Sequence, residues 1–139
     1  MKTLASLLLL GFVAMADATA AAGRADGYTA QLAKLINDYR VQHGLQPLAI
    51  DSTLSDLARE HAMYMARQDR LSHDGFQQRL IKARSPRCVE NVGSNYGTPG
   101  AELEAWRTSA SHNHNLLDAR IARMGLAIED DYVTFFACT

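Results

Sequence analysis

The stretch that decides the fold is Met124-Gly125-Leu126-Ala127-Ile128, then Glu129-Asp130-Asp131, then Val133-Thr134-Phe135-Phe136-Ala137. Two apolar, β-prone runs joined by a short acidic turn read as a hairpin of two strands. Working back from it, Ser109 to Asn115 is polar and Leu116-Leu117 is apolar. Before these, Thr98 caps a helix that has Pro99 at its first position, where a missing amide costs nothing. Leu103 and Trp106 are the core contacts of that helix. Val89-Glu90-Asn91-Val92-Gly93 reads as a further short strand.

The first half of the chain is helical in pattern. Leu32, Leu35, Ile36 and Tyr39 fall on one face of a helix from about Tyr28 to His43, and Gly44 stops it. Pro47 and Leu48-Ala49-Ile50 read as a connector. Asp51 or Ser52 caps a second helix, since either side chain can accept from the first-turn amides. Its buried stripe is Leu54, Leu57, Ala58, His61, Ala62 and Met65, and it ends near Arg70. Phe76 to Ala83 reads as a short third helix with Phe76, Leu80 and Ile81 facing inward. Helices, a strand, a helix and a terminal hairpin give an α+β domain, a small antiparallel sheet covered by helices.

With 139 residues, one domain is the expectation. Residues 1–20 read as an export signal: Met1-Lys2 supplies the positive end, and Leu4 to Ala14 is an uncharged apolar run. Ala16-Asp17-Ala18 and Ala18-Thr19-Ala20 both fit the small-residue cleavage rule. The run is shorter than the roughly 20 residues that a spanning helix needs, although an uncleaved anchor stays open. Residues 21–27 read as a flexible leader and 28–139 as the folded domain. The sequence therefore predicts a secreted or periplasmic protein. It is not expected to be a transmembrane one.

The formal net charge is -1, which gives no global argument for nucleic acid, a partner that needs phosphate neutralisation. One local run is basic, with Arg67, Arg70, Arg79, Lys82, Arg84 and Arg87 against Asp69 and Asp74. It reads as a solvated helix face, with an anionic surface polymer or headgroup as the competing partner. Two cysteines, Cys88 and Cys138, favour a disulfide in an exported chain over a nucleophile or a metal thiolate.

Four segments together resemble the CAP superfamily, also called the SCP domain, in its short bacterial form. They are Leu35-Ile36-Asn37-Asp38-Tyr39-Arg40 with His43-Gly44-Leu45, then Leu57-Ala58, His61-Ala62 and Met65-Ala66 leading to Leu71-Ser72-His73. The others are Cys88-Val89-Glu90-Asn91-Val92-Gly93, and Trp106 with Ser109, His112 and Asn115-Leu116-Leu117-Asp118, continuing to Arg123-Met124-Gly125-Leu126-Ala127. The resemblance covers Tyr28 to Cys138. It implies an α-β-α sandwich with a three-stranded antiparallel sheet, and a shallow cleft lined by two histidines and two acids. Carried over by position, these are His73, His112 and Glu90, while the second acid's place holds Ser109. Ser72, Ser109, Asn91 and His114 are expected to line the cleft.

Two imidazoles and a carboxylate can ligate a zinc-like ion with one position left for water. One acid fewer weakens such a site, so no cofactor is required and zinc or another divalent metal is expected to bind weakly. The competing reading is a hydrogen-bonded network in which Glu90 fixes the imidazole tautomers. In either case the cleft gains positive charge near about pH 6 to 7. His61 and Trp106 read as core residues. No nucleophile elbow and no His-Glu-x-x-His helix is present. A non-enzymatic binding module for lipid, cell-envelope or host components leads. The alternatives are a metal-assisted hydrolase of peptide or cell-wall bonds and an exported scaffold.

Overall fold

In the computed structural model, which describes residues 10–139, the chain runs α1 (Leu10–Gln42), β1 (Ala49–Ile50), α2 (Ser52–Gln68) and α3 (Phe76–Lys82). It continues with β2 (Cys88–Ser94), α4 (Pro99–Arg107), α5 (Ala110–Leu116), β3 (Arg123–Glu129) and β4 (Tyr132–Cys138). The sheet order is β1-β3-β4-β2. β4 lies antiparallel to both β3 and β2, and β1 runs parallel to β3. The three antiparallel strands are the ones expected; the connector at Ala49-Ile50 adds a fourth, two residues long. The acidic turn tightens to Asp130-Asp131 between paired Glu129 and Tyr132, with Asp130 in the left-handed region at φ 49°.

Side-chain alternation along the strands builds two cores. Phe135 faces one with Val89, Met124 and Leu126, and there meets Leu32 and Ile36 of α1, Trp106 of α4 and Leu116 of α5. Phe136 faces the other with Cys88, Ala127 and Cys138, against Leu54, Leu57, Ala58 and Ala62 of α2. That is an α-β-α sandwich. Cys88 and Cys138 sit opposite each other in β2 and β4 and form the expected disulfide.

Asp51 caps α2 by accepting from the Leu54 amide at 2.9 Å, and Thr98 caps α4 by accepting from Ala101 at 3.2 Å. Gly125 lets α2 approach β3 closely, because a Cβ there would lie 2.0 Å from the Leu54 carbonyl carbon.

Three expectations change. Ala21 to Gly27, read as a flexible leader ahead of a helix starting at Tyr28, belong to α1. Alanines at 21, 22 and 25, with those at 16, 18 and 20 just before, favour helix there. Within the polar stretch Ser109 to Asn115, residues from Ala110 onward form α5. In α3 the inward residues are Phe76, Arg79 and Leu80, with Ala83 just beyond, while Ile81 is 71% exposed. Positions 76, 79, 80 and 83 share one helical face, and 81 falls on the opposite one. Met1-Lys2 and residues 4–9 of the expected export signal lie outside the described residues. Among the described residues, no helix is long and apolar enough to cross a membrane.

Candidate functional site

β2 is an edge strand, and its consecutive residues Glu90 and Asn91 serve opposite faces of the sheet. Glu90 is buried on the face covered by α2 and α3. There the carboxylate accepts from Arg79 twice, from Nε to Oε2 at 2.7 Å and from Nη2 to Oε1 at 2.8 Å. His73 Nδ1 lies 2.9 Å from Oε1 and so carries the proton that the carboxylate accepts. Below it, His61 Nε2 donates to the Ser72 carbonyl at 2.7 Å and sits 3.7 Å from Glu90 Oε1. The third Arg79 nitrogen, Nη1, donates to the Asp74 carbonyl and anchors the loop that carries His73.

Asn91 is fully buried on the other face. Its Nδ2 donates to the His112 carbonyl at 3.1 Å, and its Oδ1 accepts from Asn115 at 2.9 Å. Asn115 also donates to the Glu90 carbonyl, and Trp106 Nε1 donates to the Val92 carbonyl. Those two carbonyls are not left for another strand to pair with, which blunts the edge. The Asn91 and Asn115 bonds fix α5 and bring His112 to the rim.

His73 is tied to Glu90 of this edge strand, and the His112 backbone to Asn91 next to it. Burial lowers the His112 pKa below the ordinary histidine value, and a charge on His73 lowers it further. His61 is also lowered, first by burial, with Glu90 opposing. Both shifts favour the neutral ring, and the His73 side chain is 55% exposed.

The arrangement does not fit a metal ion well. Among the described residues no three His, Cys, Asp or Glu side chains are grouped to hold one. The physical reason is Arg79, whose guanidinium engages both oxygens that a metal would need. Sequence reading placed Arg79 in a solvated basic run; it is 7% exposed, and Arg87 of the same run bonds Asp118. Its place one helical turn after Phe76 and one before Ala83 was the signal available. Of the expected cleft lining, Ser72 and Ser109 are half-buried and Asn91 is internal. His114 is exposed on α5. Trp106 is core.

Between α2 and α3 runs a groove of about 520 Å³ that Asp74 and Gly75, next after His73 in the chain, help to line together with Glu60, His61, Tyr64 and Arg79 among others. A helix-covered antiparallel sheet with a histidine–carboxylate cluster over its edge strand defines the class. Residues 33–139 match the CAP family, described as the cysteine-rich secretory protein family, and the chain belongs to it.

Two uncharacterized Bacillus subtilis (strain 168) proteins are similar. The membrane protein YlbC is 28% identical over 111 residues, 75% of this chain and 32% of its own length. YkwD is 28% identical over 115 residues, 78% of this chain and 45% of its own length. The chain thus spans less than half of either relative. An SCP-domain extracellular protein of Bacillus anthracis superposes with a TM-score of 0.78 at 26% identity, over 82% of this chain and 41% of that one. An outer surface protein of Borrelia burgdorferi shares the fold with a TM-score of 0.75 at 22% identity, over 81% of this chain and 92% of that one.

Proposed function

We propose that this chain is an exported, non-catalytic binding domain that engages a polar cell-envelope component through His73 and the α2–α3 groove. The observation that carries the reading is the closed valence of Glu90. Two guanidinium bonds and one imidazole bond occupy its carboxylate, so it is not free as a general base or a metal ligand. A neutralised, buried ion pair instead holds a rigid platform for one exposed imidazole. The groove combines guanidinium, ammonium, amide, phenol and imidazole groups with the carboxylates of Glu60 and Asp74 and with Met63, a mixture that suits a hydroxyl-rich or headgroup ligand with some apolar surface. Export agrees with the extracellular and outer-surface descriptions of the similar structures and with the apolar start of this sequence.

The test is co-sedimentation of the purified chain with cell-wall sacculi and with anionic lipid vesicles. Wild type is expected to pellet with one of them, and His73→Ala and Gln78→Ala to lose at least several-fold in retention. Zinc-dependent cleavage of peptide or wall substrate that disappears in His73→Ala would replace this reading with the hydrolase one. Retention unchanged in both variants would remove the site from it.

A further inference from the structure

A second cavity, of about 630 Å³, lies between α1, α4 and the β3–β4 turn, away from His73 and Glu90. One of its walls is Glu102, whose side chain is fully buried and whose two carboxylate oxygens have no hydrogen-bond partner. The carboxyl packs so tightly on β2 that a Cβ at Gly93 would meet Oε1 at 1.7 Å. Its neighbours on the cavity wall include three acids and two tyrosines beside small and aliphatic residues such as Ala21, Ala25, Ile128 and Val133. Glu129, Asp130 and Asp131 come from the turn, Tyr96 from the loop after β2, and Tyr28 and Arg24 from α1. Arg24 is the one cation among them, and the Asp131 carbonyl accepts from the Asn95 amide, tying loop and turn together.

We propose that this cavity receives a primary ammonium group, with Glu102 as its counter-ion. A buried carboxylate without a partner is unfavourable, and a cation that also donates hydrogen bonds relieves it. The acidic turn attracts a cation, and an ammonium gives Glu102 the hydrogen bonds it lacks. The two tyrosine rings offer faces for methylenes or for the cation itself. The volume falls in the range that holds a small organic molecule. The ammonium has two sources. One is a free aliphatic amine. The other is the chain's own α-ammonium if export cleaves after Ala20, because Ala21 lines the same cavity.

Burial raises the Glu102 pKa to about 7, and burial and Glu102 together push the Tyr28 hydroxyl above its ordinary range. An amine must displace the Glu102 proton at low pH, so its affinity rises with pH and levels off above about 7. Glu129, Asp130, Asp131, Arg24, Tyr28 and Tyr96 are the other charged and titratable groups on the cavity wall.

The experiment titrates putrescine into the full chain by calorimetry at pH 5.5 and pH 8, with Glu102→Gln beside it. Affinity is expected to be about 30-fold tighter at pH 8 in the wild type. In Glu102→Gln it should be at least 10-fold weaker at pH 8 and independent of pH. Glu102→Gln keeps the shape of the protonated acid, so its fold is preserved, and circular dichroism checks this. A chain beginning at Ala21, with a free or an acetylated N-terminus, separates the sources. Weakened putrescine binding restored by acetylation identifies the α-ammonium as the occupant; equal binding in both identifies a free amine. No binding by any form, or binding that Glu102→Gln leaves unchanged, overturns the proposal.

Discussion

Arg79→Ala removes the partner of a carboxylate that has almost no contact with water. The Glu90 side chain is 1% exposed and accepts three bonds, two of them from Arg79. Breaking a buried ion pair from one side costs roughly 3 to 5 kcal/mol, because an uncompensated charge stays inside. His73 retains its bond to Glu90, so part of the carboxylate stays hydrogen-bonded after the substitution. The loss should therefore fall at the low end, about 3 kcal/mol, or roughly 10 °C in melting temperature for a domain this size. Urea unfolding followed by circular dichroism gives the free energy. Arg79→Met with Glu90→Leu removes both charges and should return to within about 1 kcal/mol of wild type. Lys82→Ala, from the same helix but paired with Glu60 at the surface, should cost no more than about 1 kcal/mol. A cost below about 1 kcal/mol for Arg79→Ala, or a double variant as unstable as the two single changes added together, would refute the account of Glu90 as a clamped charge.

Glu102→Gln should stabilise the protein by about 3 kcal/mol at pH 8 and hardly at all at pH 4. The folded pKa is raised, so wild type loses stability as pH climbs from about 4.5 to 7; melts across that range give the slope, and parallel curves for the two proteins would exclude it. Asp118 behaves in the opposite sense. Burial alone would raise its pKa, but bonds from Arg120 and Arg87 outweigh it and hold the acid well below the usual carboxylate range. Its contribution is present above about pH 4 and lost as acid protonates it, so Asp118→Asn should cost about 2 kcal/mol at pH 7 and flatten the acid limb of unfolding. Gly125→Ala places a Cβ against the backbone of Leu54 and Ser55, atoms that no rotamer change can move. About 3 kcal/mol is expected, and a loss under 0.5 would mean that α2 slides freely, on the overpacking scale of roughly 1 to 3 kcal/mol. Replacing Cys88 and Cys138 by serine opens a loop with a sequence separation of 50. A loss of about 4 kcal/mol should appear in urea unfolding.

Much of the fold was legible because its signals are local. Thr98-Pro99 announces the start of α4, Asp51 that of α2, and the alternation around Asp130-Asp131 announces the hairpin. Two elements were harder to read for definable reasons. Residues 110–116 hold one aliphatic anchor, Leu116, and are stabilised from outside: Asn91 and Asn115 bond across to β2, and Arg40 of α1 donates to the Leu116 carbonyl at 2.8 Å. No periodicity within the segment encodes that. The N-terminal reach of α1 was obscured because alanine-rich sequence serves an export signal and a helix equally well.

The site was half legible for a related reason. Sequence can mark His73, Glu90 and His112 as chemically able, but a ligand set depends on which charges neutralise each other, and that is decided by strand alternation and a helix face. Glu90 and Asn91 are adjacent in sequence, yet one points to α2 and α3 and the other to α5. The same alternation turns Gly93 toward α4, where its missing side chain admits Glu102. One edge strand therefore handles two acids in opposite ways. Glu90 is clamped by a guanidinium, while Glu102 has no hydrogen-bond partner and burial raises its pKa to about 7. The fixed charge suits a platform, and the proton that can be exchanged suits a site where a cation comes and goes.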